Sequence, residues 1–236
     1  MATNKVVVVG SSVTAGQMKD FWRQVDDGSI SSHTLQAFLD HQNPFADRDA
    51  LPDLDFAKVY EVLGMSAEYA EFVKANEAAL ANKSGLWTVV ALKGVTPNKV
   101  IAAFRKLEVG LSLYSDNLDT EVTKNDRDPN RDGSYVVRFK KTIEADEELK
   151  NLSADDLKKQ NVKGNTLLER LLLELGYFLV TGQHLDVKNW TLCAGSRGSD
   201  GSVPDVRWNS DGRELSVSWY CPVHRSPRLR TRAAVS

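Results

Sequence analysis

The N-terminal third of the chain has the hydrophobic periodicity of α-helices. Apolar residues from Met18 to Val25 recur at positions i, i+3, i+4 and i+7, which lie on one face of a helix. The stretches Leu35–Leu39 and Phe56–Gly64 repeat this spacing. The pattern predicts a helical N-terminal unit over residues 1–83.

The pattern changes after residue 83 to a mixture of strands and helices. Leu86–Leu92 is rich in β-branched residues, and Pro97 suits the first turn of a helix that runs to Glu108. A second apolar run, Leu111–Tyr114, follows, and this order predicts a βαβ-like or split α+β arrangement. Tyr135–Ile143 alternates apolar and polar residues, which predicts a half-exposed strand.

A leucine-rich segment precedes the C-terminal tail. Thr166 and Glu169 form a capping-box pattern at its start, and Gly182 suits its end. Three charged residues, Glu169, Arg170 and Glu174, interrupt the leucines. The segment is therefore predicted to be a buried amphipathic helix rather than a membrane span.

The tail has the pattern of a three-stranded antiparallel meander. Its predicted strands are Trp190–Cys193, Val203–Trp208 and Leu215–Tyr220, and Asp211-Gly212 provides a hairpin turn between the last two. The predicted fold class is α+β, with a helical unit (1–83) and an α+β unit (84–236). We expect the leucine-rich helix to cover one face of the terminal sheet and the other face to stay open.

The composition of this tail differs from that of the rest of the chain. Residues 190–236 contain seven arginines but no lysine, together with three of the five tryptophans. Arginine suits planar, bidentate recognition of anions. We therefore expect a binding or interaction protein that uses the sheet to meet an acidic or planar anionic partner. The candidate binding residues are Arg197, Arg225, Arg228, Arg230, Trp208 and Tyr220. The net charge of −2 disfavours nucleic acid, which stays an open alternative, and excludes general affinity for membranes.

The two cysteines do not make a disulfide framework, which predicts a reducing, cytoplasmic setting. A single Cys193–Cys221 bridge remains an alternative. Cys221 and His224 have the spacing of half a zinc site, which Cys193 and His184 would complete. An ordinary buried strand cysteine is the competing interpretation.

A second candidate metal site lies in the polar loop before the Tyr135 strand. Asp128, Asn130 and Asp132 hold the first three oxygen positions of a calcium loop, and glycine follows at the sixth. Phe139 occupies the position of the expected bidentate acid. The alternative is a polar turn whose side chains serve the backbone.

The alternative function is a hydrolase for glycosides or esters, with or without a metal ion. Its candidate catalytic groups are the carboxylates of the 116–146 loop, among them Asp126, Asp128 and Glu144. Ser196 lies in a variant of the nucleophile elbow, although that elbow should lead into a helix and here leads into a loop. Ser12 follows a valine run as in some ester hydrolases, but the expected Asp-x-x-His is missing.

Several blocks of the chain resemble an uncharacterised protein family of candidate-phyla (environmental) bacteria. These blocks are residues 17–24, 35–39, 125–129, 133–139, 144–153, 166–175, 184–186 and 191–197. The run from Thr166 to Arg197 is the most specific. The resemblance implies a bacterial, cytoplasmic protein and implies no activity.

Overall fold

The computed structural model describes residues 13–28, 30, 32–39, 51–81 and 83–235. The chain divides into two compact units, Met1–Leu51 and Pro52–Ser236. The first unit contains α1 (Ala15–Asp26) and α2 (Ser32–Leu39), which confirms both predicted helices. Ser12, the side chain of His33, and His41 lie outside the described residues.

The second unit contains the remaining elements of the described residues. Its helices are α3 (Phe56–Val62), α4 (Ser66–Ala75), α5 (Glu77–Leu80), α6 (Pro97–Lys106), α7 (Leu118–Glu121), α8 (Pro129–Asp132), α9 (Ala154–Lys159) and α10 (Leu167–Thr181), with a 3₁₀ turn at Glu147–Leu149. Its strands are β1 (Leu86–Ala91), β2 (Gly110–Leu113), β3 (Val122–Asn125), β4 (Tyr135–Lys140), β5 (Trp190–Leu192), β6 (Ser196–Gly198), β7 (Val203–Asn209), β8 (Glu214–Tyr220) and β9 (Leu229–Arg230). No helix of the described parts of the chain has both the length and the apolar character to cross a membrane.

The two compact units divide between Leu51 and Pro52, whereas the sequence predicts a boundary after residue 83. Helix α3 packs against α10, and Tyr60 on α3 is fully buried. The Tyr60 hydroxyl donates to the Val90 carbonyl at 2.9 Å and accepts from the Leu92 amide at 3.0 Å. The sequence shows the apolar face of α3 but not the element against which that face packs.

The α+β fold class is confirmed, and the described residues form three small sheets. β1 pairs with β4 and β3 pairs with β6, both antiparallel, while the remaining strands form one sheet in the order β2-β8-β7-β5-β9. The predicted antiparallel strands form the centre of this sheet, but β2 and β9 add to its edges in parallel. Of the two alternatives expected for this region, the βαβ-like one is wrong, because β1 and β2 belong to different sheets.

Helix α10 lies at the centre of the unit and packs against α3, α6, β1 and β7. Its predicted ends are confirmed: Thr166 and Glu169 form a reciprocal capping box, and Gly182 ends the helix in the left-handed region at φ 67°. The amphipathic prediction is wrong, since Glu169, Arg170 and Glu174 are fully buried together with the leucines. These charges are accommodated by internal ion pairs.

The second side of the five-stranded sheet is only partly open. Leu192, Val203 and Leu229 form a buried cluster with residues of the 149–157 segment, and α10 contributes nothing to this cluster. The expectation of a fully open face is therefore wrong. Trp190, Arg207 and Tyr220 remain half-buried on this side.

Candidate functional site

A cleft of 440 Å³ lies beside the β3–β6 ribbon and α9. We call it the Arg197 cleft. The residues that line it are the basic Lys124, Arg131, Lys158 and Arg197, the acidic Asp126, and Asn125, Ala154, Leu157, Val162, Ala194 and Gly195. Basic side chains therefore outnumber the one carboxylate, and an apolar wall completes the cleft.

Local pairing fixes the position of the ribbon. Lys124 lies opposite Arg197, Asn125 lies opposite Ser196, and the Asp126 amide donates to the Gly195 carbonyl at 2.8 Å. Ser196 is fully buried; its hydroxyl donates to Asn125 Oδ1 at 2.6 Å and accepts from the Leu167 amide at 2.9 Å. Ser196 therefore joins the ribbon to the first turn of α10, and its buried, hydrogen-bonded hydroxyl gives the nucleophile hypothesis no support.

Arg197 is the central group of the cleft. Its Nη1 donates to the carbonyls of Ala194 and Ser196, both at 2.7 Å. Desolvation lowers the pKa of the half-buried guanidinium from its ordinary value, although the charges of Asp126 and Asp155 oppose this shift. Arginine stays charged in proteins, and within the described chain Arg197 forms no ion pair. A desolvated cation held only by carbonyls favours an anion at its free edge.

The other basic groups add to this preference. Lys124 and Lys158 are exposed and form no ion pair with any residue that the structure describes. Arg131 is engaged, since its Nε contacts Asp132 Oδ1 at 2.7 Å and its Nη1 donates to the Asn125 carbonyl. The hydrogen bond from the Arg131 guanidinium lowers the pKa of the Asp132 carboxyl to about 2. The cleft thus keeps uncompensated positive charge around Arg197.

The 128–133 loop has the hydrogen bonds of the polar-turn alternative to a calcium loop. Asp128 Oδ1 accepts from the Asn130 amide at 2.9 Å, and Asn130 Oδ1 accepts from the Gly94 amide at 2.8 Å. Asp132 Oδ2 accepts from the Asp128 amide at 3.0 Å as well as from Arg131. The three side chains therefore satisfy the backbone of α8 and its neighbour. Across the described ranges, no three His, Cys, Asp or Glu residues come together to hold a metal ion.

The same finding gives the zinc interpretation no support among the described residues. Cys193 is buried and Cys221 is exposed, and both are free thiols. Burial raises the pKa of Cys193, which disfavours the thiolate that zinc requires. His184 is bound to Glu174, and His224 is stacked on Tyr220 at 4.3 Å.

The candidate catalytic carboxylates do not converge. Asp126 lines the Arg197 cleft, while Asp128 lines a neighbouring cavity of 150 Å³ that shares Asn125 with the cleft. Glu144 lines a third cavity, where it accepts from the amides of Lys188 and Asn189 at 2.9 Å each.

The predicted binding residues do not share one face. Arg225 is paired with Asp156 at 2.6 Å, and Arg228 is exposed. Arg230 was expected on the open face, but it is buried, is paired with Glu147 and donates to the Ala145 carbonyl. The segment that contains Arg230 pairs with β5 as strand β9, and in this position the Arg230 side chain is directed into the interior.

The two predicted aromatic residues lie in separate stacks. Trp208 stacks on His184 with ring centres 3.4 Å apart. Tyr220 lies between Trp190, at 5.9 Å, and His224, at 4.3 Å. Of the six predicted binding residues, only Arg197 lines the cleft. Sequence reasoning missed Lys124 and Lys158, whose exposed positions carry no distinguishing local signal.

No protein-family model matches the chain, and no curated protein or solved structure is significantly similar to it. Membership of the bacterial family suggested by the sequence blocks stays a prediction.

Proposed function

We propose that the protein is a binding protein that takes a carboxylate or phosphate group of its ligand or partner into the Arg197 cleft. The observation that carries this proposal is the half-buried Arg197 guanidinium, whose protein partners are two backbone carbonyls. The proposal keeps the anionic partner expected from the arginine-rich tail. The proposed binding surface is the Arg197 cleft rather than the open face of the C-terminal sheet.

The geometry favours an anion that is attached to an apolar body. The two carbonyls hold Nη1 and thereby orient the planar guanidinium before a ligand arrives, which reduces the entropy lost on binding. Lys124 and Lys158 attract the anion from the rim, while Asp126 repels it and limits the charge that the cleft accepts. Leu157 and Val162 provide apolar contact for the rest of the ligand.

Replacing Arg197 with Gln tests the proposal with phenyl phosphate and benzoate as probes. Loss of a charge-assisted hydrogen bond is worth about 1.5–3 kcal/mol, so we expect binding to weaken by about 10- to 100-fold in calorimetric or NMR titrations. The matched control is Arg105→Gln, which removes an exposed arginine of α6 that does not line the cleft. This control should bind both probes as the unchanged protein does.

Two outcomes would contradict the proposal. One is a folded Arg197→Gln variant that binds both probes as tightly as the unchanged protein. The other is an equal loss in the Arg105→Gln variant, which would show that the probes respond only to overall charge. A folded state is checked by an unchanged circular dichroism spectrum.

The hydrolase alternative stays a prediction without a site, because its carboxylates line three separate cavities. The cytoplasmic setting is likewise a proposal, which the two free thiols support.

A further inference from the structure

A second cavity, of 530 Å³, lies apart from the Arg197 cleft. It forms where the loop after β4, the loop after α10 and the end of β7 meet. Its apolar wall consists of Ile143, Val187 and Trp208, and its polar groups include Gln183, His184 and Ser210. Ile143 and Val187 are 39% and 44% exposed, so apolar surface faces the opening. We call this cavity the His184 pocket.

His184 is held in one orientation in this pocket. Its Nδ1 lies 2.8 Å from Glu174 Oε1, and its ring stacks between Phe178 at 5.0 Å and Trp208 at 3.4 Å. A carboxylate oxygen accepts hydrogen bonds, so Nδ1 carries the proton and Nε2 of the neutral ring is an acceptor. Nε2 forms no hydrogen bond with any part of the chain that the structure describes.

Buried groups keep Glu174 in place. Glu174 is fully buried, and its Oε2 accepts from Arg170 Nη1 at 2.8 Å and from the Leu185 amide at 3.3 Å. Arg170 is itself held by Asp186. The acceptor on His184 is therefore preorganised, and a ligand need not order it.

The loops around the pocket are also joined before any ligand binds. The carboxylate of Glu144 accepts from the amides of Lys188 and Asn189, and the Asp186 amide donates to the Ile143 carbonyl at 3.1 Å. Glu144 and Lys188 contribute opposite charges to the pocket, so neither sign of ligand is favoured. A preformed apolar pocket with one oriented polar group is typical of small-molecule sites.

We infer that the His184 pocket binds a small, neutral, planar molecule that carries a hydroxyl group, in the manner of a phenol. The ring lies against Ile143, Val187 and Trp208, and the hydroxyl donates to Nε2 of His184. This inference does not depend on the Arg197 cleft, because the two cavities share no lining residue.

The test compares 4-fluorophenol with fluorobenzene by ¹⁹F NMR titration of the full chain. The two probes differ by the hydroxyl, so we expect 4-fluorophenol to bind about 3- to 10-fold more tightly. His184→Phe keeps an aromatic ring in the stack but removes Nε2. In this variant the two probes should bind equally. Equal binding of the probes to the unchanged protein, or no saturable binding of either, would overturn the inference.

A second variant keeps the test decisive if His184→Phe does not fold. Val187→Glu places a charge in the apolar wall without touching the Glu174 network, and it should weaken both probes by at least about 10-fold. Its control is Val223→Glu, at a valine that is 68% exposed and lies outside the pocket. Unchanged binding by Val187→Glu would also overturn the inference.

Discussion

Replacing Asp205 with Asn should stabilise the protein at pH 8 and leave its stability at pH 4 nearly unchanged. Asp205 lies in β7 and is 2% exposed, and its Oδ1 has no hydrogen-bond partner among the described residues. Burial raises the pKa of Asp205 to about 7, although Arg207 and the backbone amide oppose the shift. Asparagine has the size of the protonated carboxyl but carries no charge at any pH.

The direction of the pH effect follows from proton binding. Between an ordinary pKa of 3.8 and the native pKa of about 7, the native state holds a proton that the unfolded state has released. The free energy of unfolding therefore falls as the pH rises through this window, by about 1.4 kcal/mol per unit. The stabilisation that protonated Asp205 contributes to the native state is fully present below about pH 4 and is lost above about pH 7. The whole effect is on the order of 4 kcal/mol.

Urea unfolding at pH 4, 6 and 8 measures this prediction. The free energy of unfolding of Asp205→Asn should exceed that of the unchanged protein by an amount that increases from pH 4 to pH 8. The control is Asp211→Asn, at an exposed position of the β7–β8 turn, and it should shift stability by less than about 0.5 kcal/mol. Equal destabilisation by Asp205→Asn at every pH would contradict the raised pKa of Asp205, because the native state would then bind no additional proton.

Replacing Asp186 with Asn should destabilise the protein by about 3–5 kcal/mol. Asp186 is fully buried and joins four segments. Its Oδ1 accepts from the Ala145 amide at 2.8 Å and from Arg232 Nη2 at 2.9 Å. Its Oδ2 accepts from Arg170 Nε at 2.9 Å and from the Thr191 hydroxyl.

The cost arises because two buried guanidinium groups would lose their shared carboxylate. Burial alone would raise the pKa of Asp186, but the charges of Arg232 and Arg170 outweigh it and lower the pKa below its ordinary value. Asparagine supplies one acceptor and no charge, so both guanidinium groups would lose the anion that they share at this position. The other described partners of Arg232 are uncharged: the Thr142 and Ile143 carbonyls and the Thr142 hydroxyl.

Chemical denaturation at pH 7 measures this loss. The control is Lys150→Gln, which breaks a surface pair with Glu147 whose side chains are 44% and 65% exposed, and it should cost less than about 1 kcal/mol. A loss below about 1 kcal/mol for Asp186→Asn would contradict the role of Asp186 as the centre of a buried ion network.

The elements that the sequence predicted are those with local signals. The capping box at Thr166 and the glycine at 182 define the ends of α10, and alternation with a turn defines β7 and β8. These signals arise from backbone hydrogen bonding within a few residues, so they do not depend on the rest of the fold.

The buried charges could not be predicted in this way. Glu169 pairs with Arg127, which is 42 residues away in sequence. Asp186 pairs with Arg232, which follows the strand β9 that lies beside β5. Such pairs have no local pattern, and a glutamate inside a helix is typical of an exposed face. The cleft was missed for the same reason, since its lysines come from β3 and α9.

The central claim is that the guanidinium of Arg197 binds an anion, and side-chain ¹⁵N NMR of arginine Nε groups tests it most directly. Titration with phenyl phosphate should shift the Arg197 Nε–Hε signal in a saturable manner, while that of the exposed Arg105 stays constant. Sodium chloride at equal ionic strength should not reproduce the shift. An Arg197 signal that does not move, or that moves equally with chloride, would contradict the account.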